Sequence, residues 1–257
     1  MLQRLLTVLV FSLFAMMANP AHAVYIGDSS GYLYELDVAT NTSTLLGNSG
    51  VGAMYDIALD PISGTLYGVT GATGTSTLYS LDKTNGSATM IGSTGKFING
   101  LTFDSSGTLF GSGGSSLFTV DLGSGAASTV GSTGFSSSGD IAFDSAGNLY
   151  LSASTGSGKQ LLVSVDPISG AGTSIGEIGF FGVYGLNFMG STLYGFTIYQ
   201  ETISIDTSTG VGTLVATNGI KAYGADGGGG VTVPEPASIA LLGLGLVGLG
   251  FARKRAT

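Results

Sequence analysis

Six residues of this chain have side chains that could bind a small polar ligand. They are two carboxylates, one amide and three phenols: Asp56, Asp140, Asn99, Tyr55, Tyr184 and Tyr223. Tyrosine rings stack on sugar faces, whereas carboxylate and amide oxygens accept hydrogen bonds from hydroxyl groups or hold a cation. If the fold brings these residues around one opening, they predict a site for a sugar or a cation.

Asp56 and Asp140 are the pair that could perform catalysis. Two carboxylates flanking a glycosidic bond can act as acid and base in polysaccharide hydrolysis, and their separation decides the mechanism. The sequence does not define that separation, and a simpler interpretation is that all six side chains fill or solvate a narrow channel. We therefore expect no catalytic residue and a non-enzymatic protein. A secreted polysaccharide hydrolase is the alternative.

A second set of aspartates precedes short turns that contain Ser, Thr or Pro and end in Gly or Asn. Its members are Asp60, Asp82, Asp104, Asp144, Asp166 and Asp206. An aspartate in this position accepts hydrogen bonds from backbone N–H groups two or three residues further on, and so builds the turn. Calcium would need several such oxygens to converge, and the sequence has no Asp-x-Asp-x-Asp loop. We expect no metal site and no cofactor, with a calcium-dependent or other cation-dependent adhesin as the alternative.

Missing residue types narrow the chemistry further. The segment from Val24 to Val233 contains no Cys, His, Trp or Arg, which excludes thiol catalysis and the usual histidine proton shuttle. Its four lysines and fifteen acidic residues give a net charge of about −11. Such a charge repels nucleic acids and anionic lipid surfaces. We therefore expect no nucleic-acid partner.

The body of the chain repeats about every forty residues. Each copy contains an apolar segment that ends in an aspartate, at 33–37, 78–82, 117–121, 162–166 and 203–206. These aspartates lie 45, 39, 45 and 40 residues apart, which indicates a repeat architecture. In the copy at 53–95, turn residues separate four short predicted strands, at 55–59, 65–69, 77–81 and 88–91.

Four antiparallel strands in forty residues are typical of a propeller blade. The N-terminal copy lacks a first strand, and residues 222–225 resemble the first strand of the preceding unit at 183–186. Together the two chain ends would complete a fifth blade and leave no open sheet edge. We predict an all-β, five-bladed β-propeller over residues 24–226, with the six candidate residues at the starts of the innermost strands. A β-solenoid and a propeller closed in another way are the alternatives.

The N-terminus has the pattern of a signal peptide. Arg4 supplies a positive charge, residues 5–17 are apolar, and Ala21-His22-Ala23 matches a small-x-small cleavage site. We expect residues 1–23 to be removed and the mature protein to begin at Val24. A permanent N-terminal anchor is the alternative.

The C-terminus has three parts in a fixed order. Val233-Pro234-Glu235-Pro236 is followed by an uncharged stretch at 237–252 and then by Arg253, Lys254 and Arg255. Sixteen residues form a helix of ~24 Å, slightly shorter than a hydrocarbon core of ~30 Å. The basic cluster keeps the tail cytoplasmic. We predict a Gly-rich linker at 227–232 and a sorting signal with one transmembrane helix at 233–257, with an unprocessed tail anchor as the alternative.

This C-terminal order resembles the PEP-CTERM sorting signal of Gram-negative bacteria. The resemblance implies an exosortase as partner, cleavage near Pro-Glu-Pro, a transient hold in the inner membrane, and delivery to the cell envelope surface or extracellular matrix. It also implies exopolysaccharide or another glycan as an expected partner. The body is similar to bacterial surface propellers with Asp-x-x-x-Gly-x-Leu-Tyr units, present here at 60–67. We expect a non-enzymatic scaffold or glycan-binding component of biofilm.

Overall fold

A computed structural model describes residues 23–72 and 74–227. All regular structure in these residues is β: twenty strands form five sheets of four antiparallel strands each. The sheets are the blades of one closed ring. The predicted five-bladed β-propeller is therefore confirmed, and the solenoid alternative is wrong.

The strands have the following bounds in chain order: β1 Ala23–Asp28, β2 Tyr32–Asp37, β3 Thr42–Asn48, β4 Met54–Leu59, β5 Leu66–Ala72, β6 Thr75–Leu81, β7 Ala88–Ser93, β8 Gly100–Phe103, β9 Leu109–Gly113, β10 Ser116–Val120, β11 Ala127–Ser132, β12 Ser137–Phe143, β13 Leu149–Ser154, β14 Lys159–Val165, β15 Gly172–Phe181, β16 Val183–Met189, β17 Thr192–Thr197, β18 Glu201–Ile205, β19 Gly212–Thr217 and β20 Ala222–Asp226. The four strands predicted at 55–91 correspond to β4, β5, β6 and β7, and their ends differ by at most three residues.

Blade 1 is built from both ends of the described chain. Its strand order is β20-β1-β2-β3, and β20 pairs antiparallel with β1, with Tyr25 opposite Asp226 and Gly27 opposite Gly224. Blades 2 to 5 are the consecutive groups β4–β7, β8–β11, β12–β15 and β16–β19. The prediction that residues 222–225 supply the missing first strand is confirmed.

The hydrophobic core is divided into five clusters, and each lies between two neighbouring blades. Between blades 1 and 2, for example, Leu33 packs with Met54, Ile57 and Leu66. Equivalent clusters join blades 2 and 3, 3 and 4, 4 and 5, and 5 and 1. Because every blade shares apolar surface with two neighbours, closure of the ring buries surface that a partial ring would expose.

A glycine in the fourth strand lets the next blade approach closely. At Gly47 of β3, an added Cβ would overlap the backbone of Asn85, which lies in the last turn of blade 2. Gly92, Gly131 and Gly176 occupy the same position in the next three blades, and each meets the corresponding turn of the following blade. Between blades 5 and 1 the contact differs, because Asn41 adopts φ 53° and its amide donates to the carbonyl of Thr217.

The antiparallel order places the aspartate turns at one end of the ring, called here the turn end. It carries the turns after the first and third strands, with eight aspartates: Asp37, Asp60, Asp82, Asp104, Asp121, Asp144, Asp166 and Asp206. Each accepts hydrogen bonds from nearby backbone N–H groups, as Asp104 does from Ser106 at 2.9 Å and Thr108 at 2.8 Å. The prediction that these aspartates build their turns is confirmed.

Both ends of the described chain also lie at the turn end. A Cβ on Gly227 would come within 2.5 Å of the carbonyl oxygen of Ala23. The first strands of all five blades begin at the opposite end. None of the described residues forms a helix that is long and apolar enough to cross a membrane. The predicted transmembrane stretch at 237–252 lies outside the described residues.

Candidate functional site

A pocket of about 230 Å³ opens at the end where the first strands begin. Its lining residues are Tyr55, Phe97, Asn99, Ser138, Gly139, Tyr184 and Tyr223. We call it the mouth pocket. All five blades contribute to it, because Tyr55, Asn99, Gly139, Tyr184 and Tyr223 occupy the same level of the five first strands. The structure thus brings four of the six candidate residues around one opening.

Four aromatic rings form the walls of the mouth pocket. Tyr55 and Phe97 meet edge to face with ring centroids 6.0 Å apart, and Tyr184 and Tyr223 do so at 5.7 Å. Partial burial, and after it the neighbouring phenols of Tyr223 and Tyr199, raise the pKa of Tyr184. The Tyr184 hydroxyl therefore stays protonated at neutral pH and can donate or accept a hydrogen bond.

Asn99 supplies the polar group of the pocket. Its Nδ2 donates weakly to the carbonyl of Ser137 at 3.5 Å. Its Oδ1 is buried, and no group among residues 23–72 and 74–227 donates to it. A buried acceptor without a donor costs about 1–3 kcal/mol. Because the oxygen is buried, a ligand O–H or N–H would recover that free energy only after the amide turned the oxygen toward the pocket.

The two candidate carboxylates do not line the mouth pocket, which corrects the expectation for Asp56 and Asp140. Both are 0% exposed, one residue further along their strands than Tyr55 and Gly139. They lie beneath the pocket floor because their oxygens bind backbone N–H groups within the ring. We refer to them as the axial pair.

Each member of the axial pair links its own blade to the next. Asp56 accepts from the N–H of Ile57 at 2.8 Å and from that of Leu101 in blade 3 at 2.5 Å. Asp140 accepts from the N–H of Ile141 at 2.6 Å and from that of Leu186 in blade 5 at 2.6 Å. The pair therefore joins blade 2 to blade 3 and blade 4 to blade 5.

The two carboxyl groups also lie within hydrogen-bonding reach of each other. Burial raises the pKa of both, and the negative charge of Asp140 raises that of Asp56 further. Two adjacent buried carboxylates cannot both ionise at neutral pH, so the pair retains a proton. The shared proton gives the two buried carboxyl groups a hydrogen bond in place of those that water would make with them.

Glycines make room for the axial pair in blades 1 and 3, whereas the glycine of blade 5, Gly185, lies against Ala225. Gly100, Gly185 and Gly224 occupy the position that Asp56 and Asp140 hold in blades 2 and 4. A Cβ on Gly224 would overlap the Cα and Oδ1 of Asp56, and one on Gly100 would come within 3.2 Å of the Cα of Asp140. The axis thus has space for two side chains at this level but not for five.

The axial pair predicts that the protein is most stable near pH 4. The pKa of each member is raised above its ordinary value of 3.8. The contribution of the pair to the free energy of unfolding is therefore complete below pH 3.8, and it is lost as the pH rises through the folded-state pKa. Hydroxyl donors lower the pKa of Asp82, Asp121, Asp166 and Asp206, so their contribution is present above 3.8 and is lost as the pH falls.

Urea unfolding between pH 3 and pH 8 measures this profile. Asp56→Asn should flatten the decline above pH 4, and Asp82→Asn should flatten the decline below it. A free energy of unfolding that increases steadily from pH 4 to pH 8 would contradict the shared proton.

Three lining residues of the mouth pocket were not among the six candidates: Gly139, which has no side chain, and the residues Phe97 and Ser138. Phe97, which is 40% exposed, precedes Asn99 by two residues, and Ser138 precedes Gly139 by one. Both lie just before the positions that the repeat aligns, where the loops into the first strands differ in length. An aromatic residue directly before a predicted first strand was the available signal for Phe97.

The remaining candidate residues lie mostly outside the described part of the chain. These are Ala21 of the cleavage site, the motif Val233 to Pro236, and the basic residues 253–255. Ala23 and Val24 are described and belong to β1, where Ala23 lies opposite Asp37. Within residues 23–72 and 74–227, no three His, Cys, Asp or Glu side chains are grouped so that they could hold a metal ion.

Comparisons with known proteins agree with both parts of the sequence interpretation. The family model for the PEP-CTERM protein-sorting motif matches residues 232–255. No curated protein matches the chain significantly. Among solved structures, a chain from the crystal structure of a nidogen/laminin complex matches with a TM-score of 0.54 at 10% identity, covering 79% of this chain and 97% of that chain.

The structural match supports the fold alone, because the identity is low. The motif match begins one residue before the predicted start of the sorting signal. The protein is therefore a five-bladed β-propeller followed by a PEP-CTERM protein-sorting motif.

Proposed function

We propose that the propeller is a non-enzymatic scaffold that binds glycan at its mouth pocket after export to the cell surface or extracellular matrix. Export and a surface or extracellular location follow from the PEP-CTERM motif, as does an exosortase as the processing partner. The glycan role is supported by one observation above all: four aromatic rings and the side chain of Asn99 line one uncharged pocket. Aromatic faces and hydrogen-bond acceptors are what a sugar ring requires.

The burial of Asp56 and Asp140 favours binding over hydrolysis. An acid and base that act on a glycosidic bond must contact the sugar, and carboxyl groups that do so stand about 5–9.5 Å apart. The axial pair is fully buried, and its two members lie within hydrogen-bonding reach of each other. The hydrolase alternative would therefore need other residues.

The position of the chain ends also supports a surface-bound scaffold. The chain leaves the propeller at Gly227, at the turn end, on its way to the sorting motif. The mouth pocket opens at the opposite end. The turns at the turn end carry eight aspartates, which repel anionic polymers, so the mouth end is the favourable face for contact with matrix polysaccharide.

The remaining parts of the proposal concern processing. We infer that residues 1–23 are a signal peptide, that 237–252 holds the chain in the inner membrane transiently, and that an exosortase cuts near Glu235. Intact-mass measurement of the native protein, with and without the exosortase, tests this inference. The mature form should begin at Val24 and end near Glu235 only when the exosortase is present. A species that ends at Thr257 in both strains would contradict it.

Truncation of a pocket ring should weaken glycan binding. Phe97→Ala and Tyr184→Ala each remove a wall of the mouth pocket, and loss of such an aromatic contact costs about 1–2 kcal/mol, or roughly 5- to 30-fold in Kd. Isothermal titration with exopolysaccharide from the native host measures the change. Met90→Ala is the control, because Met90 is exposed on the outer strand β7. Equal affinity of all three variants would place the site elsewhere, and absence of binding by the unmodified protein would refute the proposal.

A further inference from the structure

Residues from all five blades line the mouth pocket. Blades 1, 2 and 5 contribute Tyr223, Tyr55 and Tyr184, blade 3 contributes Phe97 and Asn99, and blade 4 contributes Ser138 and Gly139. A groove that holds the middle of a polymer chain needs two exits along its length. Because residues of all five blades surround this level of the closed ring, a polymer chain held there would have to cross the rim of the mouth both on entering and on leaving it.

The pocket is also closed at its base. Below it, the axial pair fills the centre of the ring, and each carboxyl group is fully buried and bonded to backbone on two blades. The neighbouring side chains Ile57 and Leu101 are 0% and 1% exposed. Gly224 lies against Asp56, and Gly100 lies against Asp140. A ligand therefore enters and leaves by the mouth alone.

The size and polarity of the pocket restrict what fits inside it. Its volume of about 230 Å³ is below the ~300–1,000 Å³ of pockets that enclose drug-sized ligands, and suits one sugar ring. None of its seven lining residues carries a charge. The amide of Asn99 lines the pocket and can form a hydrogen bond with a sugar hydroxyl group.

We propose that the mouth pocket binds a single uncharged sugar residue at the end of a glycan chain. This inference rests on the proposed glycan-binding function and specifies how the same site would work. The terminal ring stands between Tyr55, Phe97, Tyr184 and Tyr223, with one hydroxyl hydrogen-bonded to the amide of Asn99. The rest of the chain projects out of the mouth into solvent. Tyr199, which is 62% exposed and close enough to Tyr184 to influence its pKa, offers a contact for the second residue.

End-on binding makes the number of binding sites depend on the number of chain ends. The test uses exopolysaccharide from the native host, cut by mild acid hydrolysis into samples of three average chain lengths. Isothermal titration of the purified full chain measures the sites per gram of glycan. A tenfold reduction in chain length should increase the sites per gram about tenfold, with little change in Kd per site.

The outcomes separate this inference from the proposed function. If the sites per gram stay constant as the chains shorten, the protein binds internal segments, and end-on binding is overturned while glycan binding stands. If no sample binds, the proposed function itself fails. Phe97→Ala should weaken binding at every chain length, and Met90→Ala should not. If the sites increase with chain ends but Phe97→Ala has no effect, the end is bound outside the mouth pocket and the inference is overturned.

Discussion

Gly224→Ala is expected to lower the free energy of unfolding by about 3 kcal/mol or more, although it adds only one methyl group. The new Cβ would overlap the Cα and carboxylate of Asp56. A backbone atom cannot move aside by changing rotamer, so β20 or β4 would have to shift. Because β20 is the strand that closes blade 1, its displacement weakens the pairing with β1 as well as the contact with blade 2.

Gly123→Ala is the matched control for this substitution. Gly123 lies in a turn, and an added Cβ there would meet nothing closer than Oδ1 of Asp121 at 3.6 Å. Its effect on urea unfolding should stay within about 0.5 kcal/mol. If both alanine variants unfold at the same urea concentration as the unmodified protein, the axis is less tightly packed than described.

Asp140→Ala is expected to cost about 3–5 kcal/mol, a large share of the ~5–15 kcal/mol that stabilises a typical domain. The change leaves the N–H groups of Ile141 and Leu186 buried without an acceptor and removes the partner of Asp56. Each unsatisfied buried donor costs about 1–3 kcal/mol. The link between blades 4 and 5 is lost at the same time.

Asp144→Ala provides the comparison in the same blade. Asp144 also accepts from two backbone N–H groups, those of Ala146 and Asn148, but it lies in a partly exposed turn where water can replace it. Its loss should cost about 1 kcal/mol, measured by the same urea titration. Equal losses for the two variants would mean that burial adds nothing to the contribution of the axial pair.

The blade count and the closure of the ring could be predicted because they depend on local and repeated features. The aspartate turns recur at each copy, and each is held by bonds within a few residues, as at Asp104. The missing first strand of the N-terminal copy and its counterpart at 222–225 are visible in the sequence without knowledge of distances. A repeat architecture is therefore well suited to prediction from one chain.

The roles of Asp56 and Asp140 could not be predicted in the same way. The repeat alignment placed them at the axis, but which oxygens face the channel depends on how five first strands share the space. That space is decided by glycines in other blades, such as Gly100 and Gly224, which are more than forty residues away in sequence from Asp56. The only signal in the sequence was that one repeat position holds Asp in two blades and Gly in the other three. This pattern can be interpreted only when the closed ring is known.

The construction of blade 1 from both chain ends also determines when the protein can finish folding. Strands β1 and β20 pair residues about 200 positions apart, which is the most non-local contact in the sheet order and entropically expensive to form. If the chain is exported N-terminus first, as proposed above, β1 keeps an unpaired edge until the last propeller residues have crossed the membrane. Those residues directly precede the sorting motif at 232–255. The strand that closes the ring and the sorting motif are therefore separated by only five residues, so a chain truncated before residue 222 lacks both.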